Sequence, residues 1–139
     1  MTQPVLELDL PGLGKFNLNI AADVAIQDLD MDMAQIAPLV SWYGRLLAAA
    51  RQEVDHLEAC VRLAKAQKRK GLFDYDPKIA EWKANAEVES DVVIAELLVS
   101  ARRAWYVANT LSAAFDALKI KADILRSKSA MARAELERT

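Results

Sequence analysis

From Val40 onward, apolar residues recur in alternating steps of three and four. The seam reads Val40, Tyr43, Leu47, Ala50, Val54, Leu57, Val61 and Ala64. A heptad pattern sustained this long predicts one amphipathic helix over residues 38–70. Pro38 either opens that helix or kinks it, and Gly71 stops it. A second seam reads Ile94, Leu97, Ala101, Ala104, Ala108, Leu111, Phe115, Leu118, Ala122 and Leu125. It predicts a longer helix over residues 90–137, capped by Ser90 or Asp91. Between the two, Asp76-Pro77 places an N-cap and a first-turn proline at the head of a short helix over 77–86. Long helices joined by so short a connector fold back antiparallel.

The first twenty residues follow another period. Leu6, Leu8 and Leu10 alternate with Glu7 and Asp9, and Phe16, Leu18 and Ile20 alternate with Lys15, Asn17 and Asn19. Pro11-Gly12-Leu13-Gly14 separates the two runs, which predicts a β-hairpin over residues 5–20. A lone hairpin is marginal in water, so it packs on the helices of its own chain or pairs with another chain. Residues 21–37 form a short acidic helical segment containing Asp23, Asp28, Asp30 and Asp32. The predicted fold is therefore mainly α, a single domain over 1–139: a long antiparallel helical hairpin with a short N-terminal β-hairpin. On these boundaries the return helix outlasts the first. Leu118, Ala122, Leu125, Met131 and Leu136 then form a stripe without an intrachain partner, which predicts oligomerisation through the C-terminal helix.

Composition fits this picture. The 139 residues are 53% hydrophobic, with only 4 Gly and 4 Pro to interrupt helices. Cys60, the lone cysteine, excludes an intrachain disulfide and fits a reducing compartment. No apolar run approaches a membrane span and no signal peptide is visible, so a soluble cytoplasmic protein is expected, with no membrane role. The formal net charge is only −2, but it is segregated. Residues 1–38 set six acids against Lys15, whereas residues 39–70 set seven bases against three acids.

Catalytic chemistry has little to stand on. His56 is the only histidine and falls outside the seam, and Cys60 reads as a small packing residue. There is no phosphate-binding glycine loop, no paired Cys motif and no paired acid/base site, so neither an enzyme nor a metal or cofactor protein is expected. The basic cluster is the best signal. Arg62, Lys65 and Arg69 follow a spacing that shares one helical face, and Lys68 and Lys70 widen it. These bases also sit at a predicted helix C-terminus, where cations offset the dipole. Phe73 and Tyr75 follow closely; they stack nucleic-acid bases or cap the core of the helical hairpin. Charge beside aromatics is how sequence-tolerant binders hold single strands. Arg102 and Arg103, next to Trp105 and Tyr106, form a second such group, with both aromatics expected to brace neighbouring helices. Trp42 and Trp82 read as packing residues.

Several short stretches carry a resemblance: Ser41-Trp42 at a helix start, Lys65 in a basic stretch, the run Ala114-Phe115-Asp116-Ala117-Leu118-Lys119, and Met131-Ala132-Arg133-Ala134. Over about residues 17–135 the chain resembles the phage recombination mediator family typified by UvsY. The resemblance implies a small helical protein that closes into a ring through its C-terminal helix and binds single-stranded DNA. It also implies contact with a strand-exchange recombinase and with the single-strand-binding protein that the recombinase displaces, in the cytoplasm of a host cell. Lys65 matches a DNA-binding position of that family. A second such position falls on Gln67, whose part Lys68 or Arg69 would have to take, and the β-hairpin has no match there. Two other readings remain: a structural or adaptor coiled coil without a nucleic-acid role, and an inhibitor that binds a protein through the acidic residues 23–37.

Overall fold

The computed structural model describes residues 5–139. Its elements in chain order are β1 (Leu6–Leu10), β2 (Gly14–Leu18), α1 (Ile20–Val24), α2 (Leu29–Tyr75), α3 (Glu81–Glu89) and α4 (Val92–Arg138). The fold is mainly helical with an N-terminal β-hairpin, as the periodicities require. The chain gathers into two units. One comprises residues 5–50 and 107–139, the other residues 51–106; α2 and α4 contribute segments to both.

In the first unit β1 and β2 pair antiparallel, with Leu6 opposite Leu18 and Leu10 opposite Gly14. Gly12 and Gly14 turn the chain at φ +79° and +78°, a conformation that side chains with a Cβ resist. Leu8, Leu10 and Leu18 are buried, and the Phe16 ring lies 5.6 Å from that of Trp42 on α2. The hairpin thus docks on its own chain, the first of its two expected destinations. Asn19 caps α1 by accepting the Ala22 N–H at 3.1 Å.

Helix α2 starts at Leu29, well before the expected 38. Asp28 accepts the N–H groups of Asp30 and Met31 at 3.0 and 3.1 Å, an N-cap that satisfies two orphan donors. Pro38 neither starts the helix nor ends one; it sits inside α2. It removes one backbone bond, but the apolar seam continues through it, from Ile36 to Tyr43, and both are buried. This early start changes the balance of lengths. Both long helices have 47 residues, about 70 Å each at 1.5 Å per residue, and the added turns of α2 bring Asp32 against Lys121 of α4. Leu118, Ala122 and Leu125 are consequently core residues, at 0%, 8% and 0% exposure, and do not belong to an unpartnered stripe. Of the five expected oligomerisation residues, only Met131 and Leu136 stand exposed. The helices run antiparallel in this unit: Phe115 lies 3.4 Å from where a Cβ on Gly44 would be, and Lys121, further along α4, reaches back to Asp32.

In the second unit α2 passes through Gly71 and ends at Tyr75. A glycine costs an exposed helix about 1 kcal/mol, but Leu72 and Phe73 beyond it are half-buried and carry the helix on. Asp76 closes a turn by accepting the Lys78 N–H at 3.1 Å; it does not cap a helix. Helix α3 therefore begins later than the expected 77–86, after Ala80, which makes no side-chain cap. Asp91 is the cap of α4, accepting the Ile94 N–H at 3.0 Å. Val54, Val61, Ala84, Ile94 and Ala101 form the buried centre. Among the described residues, no helix is long and apolar enough to cross a membrane.

Candidate nucleic-acid interface

The basic cluster lies in the second unit, on the last turns of α2. Val54, Val61 and the half-buried Leu57 and Ala64 define the inward side of the helix here. Each residue turns about 100° from the last, so Arg62, Lys65 and Arg69, each following an inward position, share one flank. Lys70 turns to the outer side. Arg62, Lys65 and Lys70 are exposed and, among the described residues, make no ion pair. Lys68 and Arg69 are engaged. Lys68 Nζ pairs with Asp91 at 3.5 Å. The Arg69 guanidinium donates to Glu81 at 2.9 Å and to Asn85 at 2.6 Å, and its centre lies 5.4 Å from the Phe73 ring. These two cations tie α2 to α3 and to the head of α4. Phe73 is accordingly half-buried beneath Arg69, whereas Tyr75 is 93% exposed.

A cleft of about 290 Å³ adjoins the strip, lined by Lys65, Ala66, Arg69, Asn85, Val88 and Glu89. The cluster thus divides into an open part, Arg62, Lys65, Lys70 and Tyr75, and a part that braces the protein's own helices, Lys68, Arg69 and Phe73. Sequence spacing finds the shared face but not this division, because the competing acids arrive from α3 and α4. Asp91 is held below the usual carboxylate range, chiefly by the Ile94 N–H and further by Lys68. In the second basic-aromatic group, Trp105 donates its indole N–H to Glu58 across the helix pair at 2.7 Å, and Arg102 and Arg103 are exposed. Trp82 is not a packing residue: it is largely exposed, with Lys83 Nζ 5.6 Å from its ring centre.

The first unit holds a polar network that the sequence reading does not foresee. Lys121 is buried and donates to the Asp23 carbonyl at 2.8 Å and to Asp32 at 3.5 Å. Asp32 also accepts the N–H groups of Gln27 and Asp28 at 2.8 and 3.1 Å. Tyr43 donates its hydroxyl to Asp23 at 2.6 Å. The Gln27 N–H is the main reason that Asp32 stays below the usual carboxylate range; the Asp28 N–H and Lys121 add to it. Burial, then the bond to Asp23, pushes the Tyr43 phenol well above its ordinary value. The acids of residues 23–32 are therefore largely committed to holding the chain's own elbow. His56 Nε2 and Cys60 Sγ lie 3.7 Å apart on α2. Among the described residues, no group of three or more His, Cys, Asp or Glu could hold a metal ion.

These features define a class: a small helical protein with a docked β-hairpin, two long helices paired antiparallel, and a one-sided basic strip near the helical turn. Solved structures similar to this chain include those of the bacteriophage T4 recombination mediator protein UvsY. In one crystal lattice UvsY matches at a TM-score of 0.69 and 18% identity, over 84% of this chain and 92% of its own. Two other lattices match at 0.65 and 18% identity, over 84% of this chain and 92% or 95% of theirs. The chain has a UvsY-like fold. No family model matches the sequence, and no curated protein matches it at the sequence level.

Proposed function

We propose that the protein is a recombination mediator, not an enzyme. It binds single-stranded DNA and helps to load a strand-exchange recombinase onto DNA covered by single-strand-binding protein, in the cytoplasm of a phage-infected host. It does so as a homo-oligomer, with a ring repeating the basic strip and gaining by avidity. The observation that carries this reading is the UvsY-like fold, on which Arg62 and Lys65 stand exposed and unpaired on one flank. Met131 and Leu136, exposed at the end of α4, remain as candidates for contact between copies. The rival, an adaptor coiled coil, draws on the internal engagement of Lys68 and Arg69 and predicts oligomers without DNA affinity.

The test is binding of a fluorescent single-stranded oligonucleotide at two salt concentrations, with particle mass measured in the same buffers. Affinity should fall steeply with salt as counterions are released. The double substitution R62A/K65A should weaken binding at low salt and flatten the logarithmic salt slope by about 1.4 per strip engaged, at roughly 0.7 per phosphate contact, while thermal unfolding is unchanged. A clean oligomer with no DNA affinity at low salt would transfer the assignment to the adaptor.

A further inference from the structure

We infer that Trp105 and Arg102 of α4 complete the basic strip as a base-stacking platform, so that the site grips nucleobases as well as phosphates. This rests on the single-strand-binding reading above. The register of the helix pair carries it. Two contacts set that register: the Trp105 indole N–H meets Glu58 at 2.7 Å, and Lys68 meets Asp91 at 3.5 Å. In an antiparallel pair, the residue after each inward position points to the same side of both helices, because a right-handed helix reverses its apparent rotation when it runs the other way. On α2 those positions are Arg62 and Lys65, after Val61 and Ala64. On α4 they are Arg102 and Trp105, after Ala101 and Ala104, which are buried and half-buried.

Position along the axis agrees. Arg62 lies one turn beyond Glu58 on α2, about 6 Å at 1.5 Å per residue. Arg102 lies three residues before Trp105, about 4.5 Å in the same direction because α4 is reversed. Both arginines therefore come about one turn from the Glu58–Trp105 bond, on one face, with Lys65 a turn further on. Arg103, one residue past Arg102, turns away. Trp105 is held by its indole edge yet is 47% exposed. A fixed, half-open indole beside three exposed cations suits the stacking of an unpaired base, the sequence-tolerant mode of single-strand binding.

The experiment compares a labelled oligonucleotide of mixed sequence with an abasic oligonucleotide of the same length, which keeps the phosphates and lacks the rings. The full chain should bind the base-bearing strand more tightly. Trp105→Ala should abolish that preference, a loss of roughly five- to hundredfold on the base-bearing strand, with abasic binding nearly unchanged; Trp105→Phe should restore part of it. Arg102→Ala should weaken binding to both strands, and Arg103→Ala, the same change in charge, should not. The last pair keeps the proposal testable if Trp105→Ala unfolds. Equal binding of the two strands by the unsubstituted protein, or equal effects of Arg102→Ala and Arg103→Ala, would overturn the platform and leave the phosphate strip standing. Binding of neither strand would overturn the single-strand reading and the platform with it.

Discussion

The two units use the same residue types to opposite ends. In the first, a lysine and two aspartates are drawn inside: Lys121 and Asp32 have side chains only 4% and 11% exposed, and Asp23 joins them through its carbonyl and through Tyr43. In the second, the pairs Lys68–Asp91 and Arg69–Glu81 lie at the surface, with exposures of 37%/21% and 40%/78%. Water decides the difference in weight. A buried charge that loses its partner is left uncompensated, whereas an exposed one is re-solvated and screened. The first unit therefore locks its elbow with buried charge, whereas the second leaves its paired charges in contact with water. The acidic segment 23–37, which invites a reading as a partner-binding arm, is in large part a structural lock.

The strongest test of this contrast is Lys121→Ala. It should cost about 3 kcal/mol, the low end of the range for breaking a buried pair, read from urea unfolding monitored by helical circular dichroism. A loss below 1 kcal/mol would erase the distinction between the units. Acid should act next. The Asp32 carboxyl titrates below its unfolded value, so its contribution is present above the ordinary carboxylate pKa and is lost as pH falls through the folded value. Stability measured across the acid range should decline, and Asp32→Asn should flatten that decline; an unaltered slope would contradict the lock. The smallest effect belongs to Glu81→Gln. Arg69 keeps Asn85 and water as partners, so stability should change by less than about 1 kcal/mol. A larger loss would mean that the surface clamp carries as much as the buried one.

Much of this architecture is legible in the residues. Periods of two and of three-and-four separate the hairpin from the helices, and Asp91 announces the head of α4. What misleads is local punctuation. Pro38 reads as a helix start or a kink and Gly71 as a stop because each carries a propensity cost, yet residues beyond them, Ile36 on one side and Leu72 and Phe73 on the other, bury enough surface to extend α2 at both ends. That extension explains the misreading of Leu118, Ala122 and Leu125 as an open stripe. Lys121 could have been found: it follows Leu118 by three and precedes Leu125 by four, an inward position where a charge needs a partner. The divided basic strip could not, since its pairing with Glu81 and Asn85 depends on where α3 begins, and Ala80 gives no cap signal.

Cys60 acquires a practical meaning from its place on α2. It is the chain's only thiol, half-buried, and precedes the inward Val61, so it lies on the flank opposite Arg62 and Lys65. A dye coupled there would sit close to the strip without covering it. With one attachment point per chain, stepwise photobleaching of single particles would count the copies in an assembly directly.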